Sequence, residues 1–340
     1  MRPDILPCLV NGPEGDPAVY AAFKYERRAF LFDLGDLCAL SARSLLKVTH
    51  CFVSHTHVDH FIGFDQILRL HLGREKTLVI YGPPGFVSNV EGKLKGYSWN
   101  LVQNYPYDFR LEAHELGPGR LRAAAFGCRE AFVSRPLARP AALEDGDVIL
   151  DEPGLQVRAS LLEHDIPCLA YVLEEKQHIN VDKVRLEALG VRVGPWIRHL
   201  KEAIQKGEPD DLDIAVAAGE RGPESPPRRF KLGKLRKDVI RITRGQKIGY
   251  VTDAAFTDAN VEKIVRLCRG ADILFCEAAF SERERARARE RRHLTAHQAG
   301  VLAREAGAVR LVVFHFSPKY HTEPGLLLDE AAAAFGKAVE

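Results

Sequence analysis

Apolar runs of strand length recur along the chain, and between them the apolar positions change to helical spacing. AFLFDLG (29–35), KVTHCFVS (47–54), TLVIYG (77–82), KIGYVTDA (247–254), ADILFCEAAF (271–280) and VRLVVFHF (309–316) are rich in β-branched and aromatic residues. FIGFDQILRLHL, VEKIVRLCRG and AHQAGVLAREAGA carry apolar residues three and four apart, the last ending in a glycine-containing stop. Strand alternating with helix predicts an α/β protein. Residues 106–160 differ, because their shorter runs are broken by GPG, RPLARP and EDGD; antiparallel sheet is expected there. No internal repeat is evident.

The pattern changes again near residue 174. Residues 181–207 read as polar helix, EPDDLD follows as an acidic stretch, and RGPESPPRRFKLGKLRK (221–237) holds seven Lys or Arg against one Glu. Residues 174–240 are therefore expected to form an insertion on a single 1–340 domain. Its basic part, with Arg228, Arg229 and Lys231, reads equally as a phosphate-binding surface or as a solvated loop before a strand. A second basic stretch, SERERARARERR (281–292), has six Arg and three Glu. On a regular helix its arginines would spread around the cylinder, which predicts a solvated helix that can still touch phosphate.

Composition narrows the class. With 340 residues and 46% apolar residues the chain can bury a sizeable core, while a net charge of +2 argues neither for nor against a polyanionic partner. Seven cysteines, scattered without a CxxC pair, fit reduced thiols in a cytoplasmic protein. MRPDILPCLVNGPEG lacks a long apolar region and no run reaches membrane-spanning length, so neither secretion nor membrane insertion is expected.

The densest chemistry lies at 54–60, SHTHVDH. His55, His57, Asp59 and His60 supply the nitrogen and oxygen donors that transition metals accept, against the bland reading of a solvated His-rich loop. The segment falls between a strand-like run and a helical one. If it is extended, residues 55, 57 and 59 point one way and 60 the other, so neighbouring ligands could serve two metals. Further ligands are sought where strands end: His164 in LLEHDIPCLAYVL, Asp253 in IGYVTDA and His315 in LVVFHFSPKY. Each alone could equally be a capping aspartate or a satisfied core histidine.

Taken in order, LFDLG, SHTHVDH, EHDIPCLAY, YVTDA and HFSPKY resemble the five motifs of the metallo-β-lactamase superfamily. IYGPPG (80–85), HLTAHQAG (293–300), HFSPKY and LEALGVRVGPWIRHLKEAIQKGE (186–208) are similar to features of its ribonuclease Z branch, the tRNA 3′-processing endoribonucleases. The resemblance implies a four-layer αβ/βα sandwich carrying an inserted arm that grips tRNA. It implies that His55, His57 and His164 bind one zinc, that Asp59, His60 and His315 bind a second, and that Asp253 bridges them, with manganese or iron accepting overlapping ligands. Asp33 would orient a ligating imidazole.

A hydroxide bridging the metals would attack phosphorus while Asp59 holds its proton, and His293 would protonate the leaving oxygen; the bland reading of His293 is an exposed residue capping the next helix. Glu277, in the CEAA stretch at 276–279 that aligns with the family's HEAT sequence, would lie at the substrate surface. Precursor tRNA as partner and a homodimer are also implied. Two other readings stay open: a hydrolase of a small phosphodiester or other ester on the same fold, and a metal-stabilised RNA-binding or scaffold protein without catalysis.

Overall fold

The computed structural model describes residues 4–118, 121–138, 144, 146–216 and 228–340. The chain divides into two compact units, one made of 1–147, 158–172 and 248–340, the other of 148–157 and 173–247. The expected insertion, 174–240, lies inside the second.

Eight strands form the first sheet in sequence order: β1 (Ile5–Leu9), β2 (Val19–Phe23), β3 (Ala29–Phe32), β4 (Val48–Phe52), β5 (Lys76–Gly82), β6 (Phe109–Glu115), β7 (Ala123–Gly127) and β8 (Ser134–Pro136). Strands β3 to β6 pair in parallel, whereas β6, β7 and β8 pair antiparallel, as the broken pattern after residue 106 suggested. Next come β9 (Asp147–Asp151), β10 (Leu155–His164) and β11 (Ile166–Glu175). The second unit pairs β12 (His178–Val181) with β15 (Ile240–Thr243), and β13 (Asp213–Val216) with β14 (Arg228–Lys231). Parallel strands β16 (Lys247–Val251), β17 (Ile273–Glu277) and β18 (Arg310–Phe314) complete a second large sheet in the order β18-β17-β16-β11-β10-β9.

Alternation along the strands explains the layering. Leu31 of β3, Cys51 of β4 and Val53 just after it join a core with Phe64, Ile67 and Leu68 of the helix Phe64–His71 and with Phe86, Val87, Val90 and Leu94 of the helix Phe86–Lys95. The intervening residues, Phe30, Phe32 and Phe52, point the other way. Phe32 meets Tyr250 of the second sheet with ring centroids 5.7 Å apart, and Phe52 meets Tyr171 at 5.5 Å. The far face of that second sheet packs Leu274, Cys276, Leu311 and Val313 against helices Asp258–Cys268, Ala296–Glu305 and Pro324–Phe335. Helix, sheet, sheet, helix is the four-layer order expected from the motifs. Because both faces are covered, β3 is apolar and buried at every position.

The helices follow the capping chemistry of their sequences. Thr257 and Thr295 accept from the backbone N–H groups of Asn260 and Gln298, and Gln298 closes a capping box with Thr295. In the second unit, Trp196, Leu200, Ile204, Phe230, Leu232 and Leu235 form a separate small core. Within that unit, Arg228 Nη1 donates to the Leu189 carbonyl at 3.0 Å and Lys231 Nζ donates to the Asp211 carbonyl at 2.9 Å. Arg229 is exposed, and residues 221–227 of the basic stretch lie outside the described residues. Among the described residues no helix is long and apolar enough to cross a membrane.

Phe52 is fully buried and touches Phe30, Phe32, Tyr81 and Tyr171, joining both sheets. Phe52→Ala is expected to cost about 3–5 kcal/mol in equilibrium urea denaturation, and a loss below about 1 kcal/mol would contradict the sheet-on-sheet core.

Candidate metal centre

Six residues of the site stand where strands end. Asp33 follows β3, His55 follows β4, His164 closes β10, Asp253 follows β16, Glu277 closes β17 and His315 follows β18. Parallel strands direct their C-terminal ends to one edge, so six segments far apart in sequence meet there. Asp33 and His315 adopt left-handed backbone, with φ of 57° and 64°, a cost that clusters at functional turns. Gly63 lets the LFDLG turn press against this loop: a Cβ there would fall 2.1 Å from the Gly35 carbonyl oxygen.

The SHTHVDH segment is not extended throughout. His57 is the N-cap of a short helix, Val58–Phe61, so Asp59 and His60 diverge by helical rotation rather than strand alternation. The two still part, for a different geometric reason from the one expected. Asn89 Nδ2 donates to Thr56 Oγ1 at 2.7 Å, tying the loop to the helix that follows GPPG.

All seven candidate ligands come together, in two groups. His55, His57, His164 and Asp253 place one donor atom each within 4.8 Å of one another, and so do Asp59, His60 and His315. Asp253 faces both groups. Its Oδ2 lies 3.5 Å from His55 Nε2 and 3.5 Å from His164 Nε2, while its Oδ1 lies 3.5 Å from His60 Nε2 and 2.9 Å from His315 Nδ1. Asp59 Oδ2 is 3.2 Å from His315 Nε2 and 3.5 Å from His60 Nε2.

Hydrogen bonds fix which nitrogen each ring presents. His60 Nδ1–H donates to Asp33 Oδ2 at 2.8 Å, His164 Nδ1–H to the Arg292 carbonyl at 2.8 Å, and His293 Nδ1–H to Glu277 Oε2 at 2.8 Å. Those acceptors have no proton to give, so the direction is forced. Ser54 Oγ donates to Asp33 Oδ2 at 2.7 Å, and therefore accepts from His55 Nδ1–H at 3.0 Å. Tyr250 O–H also donates to Asp33 Oδ2, at 2.7 Å. The Nε2 atoms of His55, His60 and His164 are left facing Asp253. His55 Nε2 and His60 Nε2 are buried without a hydrogen-bond partner, which neutral packing leaves unexplained and metal coordination accounts for.

Electrostatics point the same way. Burial, reinforced by His60, pushes His55 down to about 2, so its imidazole stays neutral and its lone pair available. Burial also opposes a proton on His60, but the carboxylates of Asp253 and Asp33 outweigh it and raise that ring to about 10. The same carboxylate field lifts His315 well above its ordinary range, against its own burial. Burial would raise Asp59, yet the His315 hydrogen bond and His60 hold it down at about 2. So strong a pull on protons is an equally strong pull on a divalent cation, and the residues fit one.

Glu277 corrects the sequence reading. It was expected at the substrate surface, but it is fully buried. Its Oε2 holds His293 and its Oε1 accepts from the backbone N–H of Ala254 at 2.8 Å. A carboxylate with both oxygens engaged inside the protein is a support for His293. His293 itself is not a bare helix cap: Thr295 caps the following helix, and His293 Nδ1 lies 4.0 Å from Asp253 Oδ2. The positioning roles of Ser54, Tyr250 and the Arg292 carbonyl were not read from sequence; only the nearness of Ser54 and Tyr250 to the motifs hinted at the first two.

No family model matches the chain. Individual proteins do. It is 30% identical to the ribonuclease Z of Deinococcus radiodurans over 298 residues, covering 85% of this chain and 82% of that one. With the ribonuclease Z of Prochlorococcus marinus the identity is 30% over 336 residues, covering 94% and 88%. In structure it resembles the short form of human tRNase Z, with a TM-score of 0.55 and 21% identity over 92% of this chain and 90% of that one. A metallo-β-lactamase fold protein of Bacillus subtilis superposes with a TM-score of 0.53 and 14% identity, covering 99% and 95%. The fold is that of the metallo-β-lactamases, and it carries a divalent-metal site.

Since His60 holds a proton up to about 10 until a metal displaces it, metal uptake near neutral pH should release protons. Affinity should therefore rise with pH through the neutral range. A weakly buffered calorimetric titration with zinc in buffers of different ionisation enthalpy measures the release, and uptake without proton release would contradict the assignment of His60 Nε2.

Proposed function

This chain belongs to the ribonuclease Z family, and from that premise we propose that it is an endoribonuclease that hydrolyses the phosphodiester joining a precursor tRNA to its 3′ trailer. The observation that carries the reading is the pair of ligand groups that share Asp253, with His293 beside them. His55, His57 and His164 would hold one ion and Asp59, His60 and His315 a second, with Asp253 between. Zinc suits this nitrogen and oxygen donor set, and manganese or iron could replace it. When bound, such a pair supplies hydroxide at neutral pH and neutralises charge on the non-bridging phosphate oxygens.

The chain's own residues handle the protons. Asp59 keeps 43% of its side-chain surface open, against 3% for Asp253. It is thus the ligating carboxylate placed to hold the proton of the attacking hydroxide by a hydrogen bond and so orient it. Burial works against a charge on His293, but Glu277 raises its pKa and holds Nδ1, which favours the protonated ring and leaves Nε2 as the nitrogen turned to the reaction. That proton goes to the departing 3′-oxygen as the bond from phosphorus to that oxygen breaks. The upstream product ends in a 3′-hydroxyl and the trailer carries a 5′-phosphate. Asp33 holds His60 and, through Ser54, His55 in the orientation this requires.

We assign tRNA gripping to the second unit, where Arg228, Arg229 and Lys231 lie on β14. Arg228 and Lys231 also hold backbone carbonyls there, so Arg229 is the residue of the three most open to phosphate. Seven cysteines scattered without a CxxC pair accord with a cytoplasmic location, and a homodimer follows the family resemblance.

Metal-loaded protein should be incubated with precursor tRNA and, separately, with bis(p-nitrophenyl) phosphate. Wild type is expected to cut the RNA at the 3′ trailer. His57→Ala should lose both activities. His293→Ala should lose about 10²–10⁴-fold on RNA and far less on the ester, whose weakly basic leaving group needs no proton. Cleavage of the ester but not the RNA would sink the tRNA assignment, and undiminished activity in His57→Ala would sink the metal assignment.

A further inference from the structure

The arginine-rich segment before His293 does not form the regular helix on which its charges would scatter. It is a 3-10 turn, Glu282–Glu284, followed by a six-residue helix, Arg285–Glu290, and the structure sorts its charges. Glu282 pairs with Arg285 and accepts from the Thr295 hydroxyl at 2.6 Å. Glu284 is shared by Arg287, Lys319 and the Tyr320 hydroxyl. Arg292 pairs with Asp165 at 2.9 Å. Arg283, Arg289 and Arg291 remain exposed without an ion pair among the described residues, against one exposed acid of the segment, Glu290.

Two of these three are anchored beside the chemistry. Ala288 is buried, and the Arg287 guanidinium lies 5.9 Å from the centre of the Phe280 ring, which seats the helix. The backbone N–H of Arg291 donates to Arg287 at 2.9 Å, that of Arg292 to Arg289 at 3.3 Å, and that of His293 to Ala288 at 2.9 Å. Arg292 has left-handed backbone, φ 59°, and its carbonyl holds His164. The turn bearing Arg289 and Arg291 thus ends on a candidate metal ligand's partner and on His293. Arg283 lies in the 3-10 turn that precedes the helix, at its other end.

We propose that Arg289 and Arg291 form a phosphate-binding surface for the RNA strand on the 5′ side of the scissile bond. The proposal rests on the endoribonuclease reading. His293 protonates the 3′-oxygen, which belongs to the upstream nucleotide, so the phosphates nearest this turn are those leading into the cut from the 5′ side. Guanidinium groups without an internal acid are suited to take them, because two parallel N–H donors match two phosphate oxygens.

The test compares wild type with Arg289→Gln/Arg291→Gln and with Arg283→Gln on precursor tRNA. Metal content and thermal midpoint serve as the check on folding. In the double variant KM should rise while kcat is retained. The slope of log kcat/KM against log salt should become shallower by about 1.4, at about 0.7 for each single-strand phosphate no longer neutralised; in Arg283→Gln it should change by less than half as much. Neutral methylphosphonate linkages at the two phosphates 5′ of the cut should slow wild type but not the double variant. The same linkages 3′ of the cut should affect both alike. A double variant with wild-type KM and salt slope, or one that becomes insensitive to neutral linkages on the 3′ side instead, would overturn the proposal. A wild type that cuts no RNA would overturn the endoribonuclease reading and this proposal with it.

Discussion

Buried negative charge at the edge of two sheets is the constraint around which this molecule is arranged. Asp33, Asp253 and Glu277 are each at most 2% exposed, and a carboxylate removed from water is tolerated only if it is paired, hydrogen-bonded or coordinated. Asp33 is satisfied within the protein by Ser54, His60 and Tyr250, and Glu277 by His293 and two backbone N–H groups. Asp253 differs. It accepts from the Thr252 hydroxyl at 2.9 Å, but of the five imidazoles around it only His315 comes as close; His55, His60 and His164 stand 3.5 Å off, longer than a good hydrogen bond, and the facing nitrogens of His55 and His60 have no other partner. What protein atoms do not supply to Asp253, a divalent cation on either side of it would.

The rest of the fold holds that arrangement in place. Parallel strands bring their ends to one edge, and the two sheets are pinned together just behind it by rings from both. Tyr171 and Tyr250 do two things at once: their rings pack on Phe32 and Phe52, while their hydroxyls reach the Val53 carbonyl and Asp33. Sheet packing and ligand orientation therefore share side chains, so a loosened core would be felt at the metal ligands. Left-handed backbone at Asp33, Arg292 and His315 marks the turns where the chain is bent to serve the site.

Much of this was legible in the sequence because it is encoded locally. Apolar runs of strand length and apolar positions at helical spacing ordered most of the elements, and SHTHVDH announced a metal loop without outside help. His164, Asp253 and His315 were ambiguous one at a time, since a histidine at a strand end looks the same whether it binds a metal or caps a core. Only their meeting at a shared carboxylate separates the two, and that is a property of sheet order. Glu277 was misplaced because its neighbours in sequence, Cys276 and Ala278, say nothing about His293, sixteen residues on. The Asp59 and His60 directions came from a helix turn that four residues are too few to reveal. The arginines at 283–292 read as a solvated helix because periodicity cannot show which guanidinium groups are already taken by Glu282, Glu284 and Asp165.

The proposed sharing of Asp253 between two ions is tested most directly by metal content. Metal-stripped protein would be reconstituted with zinc, freed of excess by gel filtration and analysed by mass spectrometry of the metal, for wild type and for Asp253→Asn. Two ions per chain in wild type, and at most one, weakly held, in Asp253→Asn, is the expected result. Two tightly held ions in Asp253→Asn, or none in wild type, would contradict it.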